Sequence, residues 1–157
     1  MLRDTLNAAL KEALKARDKL RVATLRLINA AIKNADIEAR GQGKEALPDE
    51  ALHGVMQKMI KQRQEAAELY DKGGRPELAA QERAEIEIIL TYLPKQMSDL
   101  EAGSVIQALV HEINAQGLKD MGRTMAALKE RFAGKMDFAK ASAKVKELLS
   151  RPSSSAG

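Results

Sequence analysis

The chain reads as all-α, with a helical body of about four helices followed by a small three-helix tail module. Three observations predict this. Apolar residues recur at helical spacing through most of the length, and no run alternates apolar with polar as a half-buried strand would. Helix-breaking residues stand between the helical stretches, with Gly41-Gln42-Gly43, Gly73-Gly74 and Pro94 as the clearest punctuation. Finally, the stretch Tyr92-Leu93-Pro94-Lys95-Gln96-Met97-Ser98 stops one helical pattern and starts another. Pro94 cannot continue a helix, and it biases Leu93 toward extended geometry. Ser98 and Glu101 then suit a capping box, hydroxyl to a free backbone N–H and carboxylate back to the N–H of the cap. The organisation expected is a body over 1–93, a hinge over 94–98, a tail domain over 99–149 and a disordered end over 150–157.

Each element has its own signals. Leu2, Leu6, Leu10 and Leu14, with Ala9 and Ala13, form the stripe of the first helix. Asp18 is an N-cap for the second, whose apolar face is Val22, Leu25, Ile28, Ile32 and Ala35, and Gly41-Gln42-Gly43 ends it. Pro48 suits the first turn of the third helix, and Asp49 and Glu50 favour the positive end of its dipole. That helix places Leu52, Val55, Met56, Met59, Ile60 and Leu69 inward and closes at Gly73-Gly74. The fourth opens near Pro76 and runs to Leu93, and its last turns are apolar nearly all round, which predicts burial between other elements. In the tail, Val105, Ile106, Leu109, Val110 and Ile113 mark helix five, with Gly117 at its C′ position. Asp120 is the cap of helix six, with Met125, Leu128 and Phe132 inward and Gly134 as its stop. Asp137 is the cap of helix seven, with Phe138, Val145, Leu148 and Leu149 inward. Helices this short are not stable singly, so the three must pack together.

Composition removes several function classes. There is no cysteine, which excludes disulfides, thiolate nucleophiles and cysteine-ligated metal sites. The N-terminus lacks a charged region followed by an apolar run, and no apolar segment approaches the ~20 residues that span a bilayer. A soluble, cytoplasmic protein is therefore expected, without a membrane partner. Net charge is +4, and its distribution is uneven. Eight lysines and arginines in residues 1–33 meet only Asp4, Glu12 and Asp18, and nine in residues 119–151 meet only Asp120, Glu130, Asp137 and Glu147. Glu77, Glu82, Glu85 and Glu87 make an acidic segment between them. Such a pattern suits an anionic partner such as nucleic acid, and it equally suits solvated helix faces.

Catalytic motifs are few. His111-Glu112 begins like a zinc-hydrolase helix, but the position one turn on is Ala115 rather than a second histidine. His53 has no evident partner. Glu82, Glu85 and Glu87 read as an acidic helix face more readily than as an acid/base pair. Gly73-Gly74-Arg75 lacks the length, lysine and hydroxyl of a phosphate-cradling loop. No cofactor, metal or catalytic residue is expected. The candidate binding residues are Lys119, Arg123, Lys129, Lys135, Lys144 and Lys146, with Lys58, Lys61 and Arg63 as a further surface. Arg123 begins helix six and Lys135 precedes helix seven, so two helix starts with adjacent cations could grip phosphates. The four aromatics are Tyr70, Tyr92, Phe132 and Phe138, of which both phenylalanines lie on core stripes. That argues against a stacking platform for single strands and for structured RNA read through shape and phosphates.

A resemblance joins these segments. Leu25-Arg26, Ala30-Ala31-Ile32-Lys33, Ile60-Lys61-Gln62-Arg63, Gly74-Arg75-Pro76-Glu77-Leu78-Ala79, the Tyr92–Ser98 stretch, Met121-Gly122-Arg123-Thr124-Met125 and Val145-Lys146 stand in the order seen in the GatB/YqeY family. The match covers roughly residues 1–149 and is nearest the stand-alone YqeY-like proteins. Pro48 departs from it where a small polar cap is usual, and Arg123 where lysine is also common. The resemblance implies a helical body joined to a helical tail, as in the end of the B subunit of the tRNA-dependent amidotransferase, a carbon–nitrogen ligase using glutamine as amido donor. It implies tRNA as partner, with a tRNA-modifying or aminoacylation enzyme as a second. Because the catalytic portion of that subunit is missing, it implies no active site of the chain's own. The alternative is a protein–protein adaptor without RNA binding. Oligomeric state is not indicated.

Overall fold

In the computed structural model of the 157-residue chain, residues 1–151 are described. Among them are seven α-helices and no strand, as the all-α reading requires. They are α1 (Leu2–Lys15), α2 (Lys19–Gly41), α3 (Asp49–Lys72), α4 (Pro76–Leu90), α5 (Asp99–Glu112), α6 (Met121–Phe132) and α7 (Phe138–Ser150), with a 3₁₀ turn at Leu118–Asp120. No helix among the described residues is long and apolar enough to cross a membrane. The chain divides into two units, Met1–Pro94 and Lys95–Gly157. The expected disordered end begins at Ser150, which is the last residue of α7, and residues 152–157 lie outside the described residues.

In the first unit, α1 and α2 form one helical hairpin and α3 and α4 another, with α2 packed against both α3 and α4. Arg17 takes a left-handed conformation (φ 56°) between α1 and α2, and the Asp18 carboxylate then accepts the N–H of Arg21 at 3.2 Å, as its cap position predicts. Gly74 (φ 73°) turns α3 into α4, and the Arg75 N–H reaches back to the Tyr70 carbonyl at 2.8 Å. The core holds Leu6, Leu25, Ile28, Leu52, Met56 and Ile89, all fully buried.

Two expected core leucines point outward. Leu14 is 47% exposed, because a stripe at i+4 rotates about 40° per step and Ala13 has taken the inward position by the last turn of α1. Leu69 is 69% exposed, for the inward line of α3 passes through Met56, Ile60 and Ala67, and Leu69 lies two residues off it. α4 stops at Leu90 rather than Leu93. Its apolar end continues as i→i+3 turns from Thr91, Tyr92 and Leu93, tightening toward Pro94, and Ile86 and Ile89 there are buried.

The second unit packs α5, α6 and α7 around Ile106, Leu109, Leu128, Met136, Ala141, Val145 and Leu149. Gln96 and Met97, assigned to the hinge by sequence, are fastened to this unit. The Met97 N–H donates to the Lys135 carbonyl at 2.8 Å, the Gln96 amide donates to the Gly134 carbonyl at 2.5 Å, and the Met97 side chain joins the core. Ser98 caps α5 through the Glu101 N–H at 3.1 Å, but the Glu101 carboxylate accepts the Ser98 hydroxyl rather than its backbone N–H, so only half of the expected capping box forms.

Candidate nucleic-acid interface

The turns of the second unit decide what its cations can do. α5 is closed by Asn114 in the left-handed region (φ 54°), with the Ala115 N–H on the Val110 carbonyl at 3.0 Å, and not by Gly117, whose φ of −162° is ordinary extended backbone. Asparagine is the second choice for this conformation, and Gly117 nearby masked it in the sequence.

Asp120 also departs from expectation. Its carboxylate makes no cap bond to α6 but turns back, accepting the Gln116 N–H at 2.8 Å and the Gly117 N–H at 3.4 Å. It then receives Arg123 Nε at 3.0 Å. The Gln116 N–H first, and then the Arg123 guanidinium, hold the Asp120 carboxyl below the usual aspartate range. Arg123 also donates from both terminal nitrogens, to the carbonyls of Ile113 at 2.8 Å and Asn114 at 3.3 Å. It therefore clamps the end of α5, with only part of its surface left for a ligand.

Asp137 behaves as predicted, accepting the N–H groups of Ala139 and Lys140 at 2.9 and 3.4 Å. At the start of α7 the Asp137 carboxylate thus occupies N–H groups that a phosphate would use, whereas at the start of α6 Asp120 is turned back to the end of α5 and takes Arg123 with it.

The remaining cations are distributed rather than gathered. Lys119 lies in the 3₁₀ turn, Lys129 in the last turn of α6, Lys135 between α6 and α7, and Lys146 on α7, all exposed. Lys144 is half-buried, and two residues along a helix from Lys146 it faces the opposite side, so one flat ligand cannot meet both. An ion pair that the sequence reading did not include joins the ends of α5 and α6, with Arg131 bidentate on Glu112 at 2.6 and 3.3 Å. That arginine holds the Glu112 carboxyl below its ordinary value. Arg131 and Glu112 lie 19 residues apart, beyond the reach of any helical-spacing rule.

In the first unit Lys58 and Lys61 lie exposed on α3, but Arg63 is a correction. Its Nε donates to Glu85 at 3.0 Å between α3 and α4, with the two side chains only 14% and 12% exposed, and its Nη1 donates to the Met59 carbonyl at 3.2 Å. Glu85, expected on an acidic solvent face, is buried by the same contact. A second polar tie has Arg3 donating to Asp36 at 2.7 and 3.0 Å and to the Leu47 carbonyl at 2.9 Å, while Asp36 accepts the Leu47 N–H at 3.0 Å. A cleft of about 570 Å³ lies between α1, the start of α2 and Thr91-Tyr92, where Arg21 donates to the Tyr92 hydroxyl at 2.6 Å. His53 is half-buried and His111 exposed, and among the described residues no three His, Asp or Glu side chains gather as a metal site needs.

Comparison with known proteins identifies the chain. The YqeY-like protein model matches residues 3–149. The altered inheritance of mitochondria protein 41 of Lachancea thermotolerans is 38% identical over 110 residues, which cover 69% of this chain and 57% of that protein. Its counterpart in Eremothecium gossypii is 32% identical, with 70% of this chain and 60% of that protein covered. The chain thus spans somewhat over half the length of these relatives. Both are named as mitochondrial proteins, and this overturns the expectation of a cytoplasmic protein, which rested on the N-terminus and the absence of cysteine. The chain belongs to the YqeY-like family.

Proposed function

We propose that this YqeY-like chain is a non-catalytic RNA-binding module whose ligand is structured RNA of the tRNA kind, serving as an accessory to tRNA-dependent amidotransferase or aminoacylation chemistry performed elsewhere. One observation carries the reading. In the second unit Glu112, Asp120, Asp137 and Glu147 are occupied with arginines and backbone N–H groups, while Lys119, Lys129, Lys135 and Lys146 are exposed. A helical module that commits most of its carboxylates to its own arginines and N–H groups and leaves these lysines outside presents positive potential to a polyanion. Phe132 and Phe138 pack on the core, so the second unit offers bases no ring to stack on, and this favours structured RNA over single strands.

The test is binding of the full chain to bulk tRNA over a salt series, with poly-uridine as the unstructured control. Affinity for tRNA should exceed that for poly-uridine and fall steeply with salt. Lys119→Glu and Lys135→Glu should each lower the salt slope by about 1. Absence of tRNA binding at low salt, or equal binding of both RNAs, overturns the proposal.

A further inference from the structure

The longest unpartnered apolar feature lies on α2, opposite its core face. Leu20, Ala23, Leu27, Ala30, Asn34 and Ile37 are all exposed, with Leu20, Leu27 and Ile37 at 38%, 45% and 55%. Their spacing is alternately three and four residues, the a and d positions of a heptad, and the seam runs about 26 Å along the helix. The inward residues Leu25, Ile28 and Ile32 lie off this seam, so the body does not need it. One flank of the seam carries Lys19, Arg26, Lys33 and Arg40 at seven-residue intervals, all exposed. Among the described residues Lys19, Arg26 and Lys33 form no ion pair. The other flank is Thr24, Ala31 and Glu38, of which Thr24 is buried in the body.

We propose that this face of α2 docks an amphipathic helix of a partner protein, with aliphatic residues along its a and d seam and acidic residues on the flank that meets Lys19, Arg26, Lys33 and Arg40. Charge selects this occupant. A second copy packed antiparallel would set basic row against basic row. Packed parallel, it would set that row against Thr24, Ala31 and Glu38, two of which offer no carboxylate. A membrane-surface helix would show a broader apolar face, whereas a seam confined to a and d is the geometry of helix-on-helix packing. Asn34 at an a position supplies a register mark, since a polar partner opposite it is favoured and a leucine there is penalised. None of this depends on RNA binding by the second unit.

The probe is a fluorescent three-heptad peptide with leucine at a and d and glutamate at e and g, whose like charges keep it from pairing with itself, offered to the full chain. The matched control carries lysine in place of glutamate. Binding should be seen with the acidic peptide and be at least tenfold weaker with the basic one. Leu27→Asp, at an exposed position and with its fold checked by far-UV circular dichroism, should weaken binding at least tenfold. Arg26→Glu combined with Lys33→Glu should reverse the preference between the two peptides. The proposal is overturned if neither peptide binds, if both bind alike, or if Leu27→Asp leaves binding unchanged. A concentration-dependent dimer lost in Leu27→Asp, or tRNA or anionic vesicles held by the basic row with no dependence on Leu27, overturns it as well.

Discussion

In the first unit the Arg63–Glu85 ion pair lies between α3 and α4, nearly out of reach of water, and Arg3 ties Asp36 to the Leu47 backbone. In the second unit the equivalent chemistry sits at the ends of helices, where Asp120, Arg123, Asp137, Glu112 and Arg131 hold turns together at the surface. Helix length explains the contrast. α2 and α3 have 23 and 24 residues and present long faces whose polar residues meet α1 and α4 respectively, whereas the tail helices have 12 to 14 and consist largely of ends. A short helix leaves a larger share of its backbone groups unpaired at its termini, so its polar side chains are drawn there. The body's polar ties reach between helix faces, while the tail's lie at helix ends, within turns or, for Arg131 and Glu112, from one helix end to another.

That contrast predicts how each unit fails. The largest effects should come from the two cores. Leu25→Ala in the body and Leu128→Ala in the tail each remove a fully buried side chain and should cost about 2–5 kcal/mol. In denaturation followed by unit-specific probes, each should move only its own unit's midpoint. A shared shift would show the two cores to be one cooperative structure. Next in size is Glu85→Ala, which leaves the largely buried Arg63 guanidinium without its partner and should destabilise the body by about 3 kcal/mol. Replacing both residues with Met and Leu should recover most of that loss, and a failure to recover would mean that the pair, rather than its burial, stabilises the hairpin.

The smallest effects are in acid. Asp36 is held below the ordinary aspartate range by the Leu47 N–H first and then by Arg3, and Asp120 by the Gln116 N–H first and then by Arg123. A carboxyl whose folded value is depressed contributes stability that is full above its unfolded value, about 3.9, and is lost as pH falls through the folded one. Asp36→Asn should therefore flatten the acid limb of the body's stability curve, and Asp120→Asn that of the tail, as read by urea midpoints between neutral and strongly acid pH. If either substitution steepens its limb, the sign of the linkage is wrong.

Much of the fold was legible because its signals are local. Asp18 and Asp137 cap as read, Gly43, Gly74 and Gly134 take the left-handed conformation where helices end, and the stripes through Leu25, Ile28, Leu128 and Val145 are buried. Misreadings arose where a residue's role depends on a neighbour distant in sequence. Arg63 and Glu85 are 22 residues apart and Arg123 reaches the carbonyl of Ile113 ten residues back, so neither commitment shows in a window of helical period. Asp120 precedes its helix as a cap should, yet the N–H groups behind it offered the better geometry. The candidate interface was correspondingly less legible than the fold. A lysine or arginine list counts charges, and only the fold shows which are already spoken for.

Fastening Gln96 and Met97 to Gly134 and Lys135 has a practical corollary for dividing the protein. The boundary suggested by the cap at Ser98 would amputate a core side chain and two hydrogen bonds from the tail. A cut at Lys95 keeps that strap, and any recombinant tail, fusion partner or transplanted module should begin there.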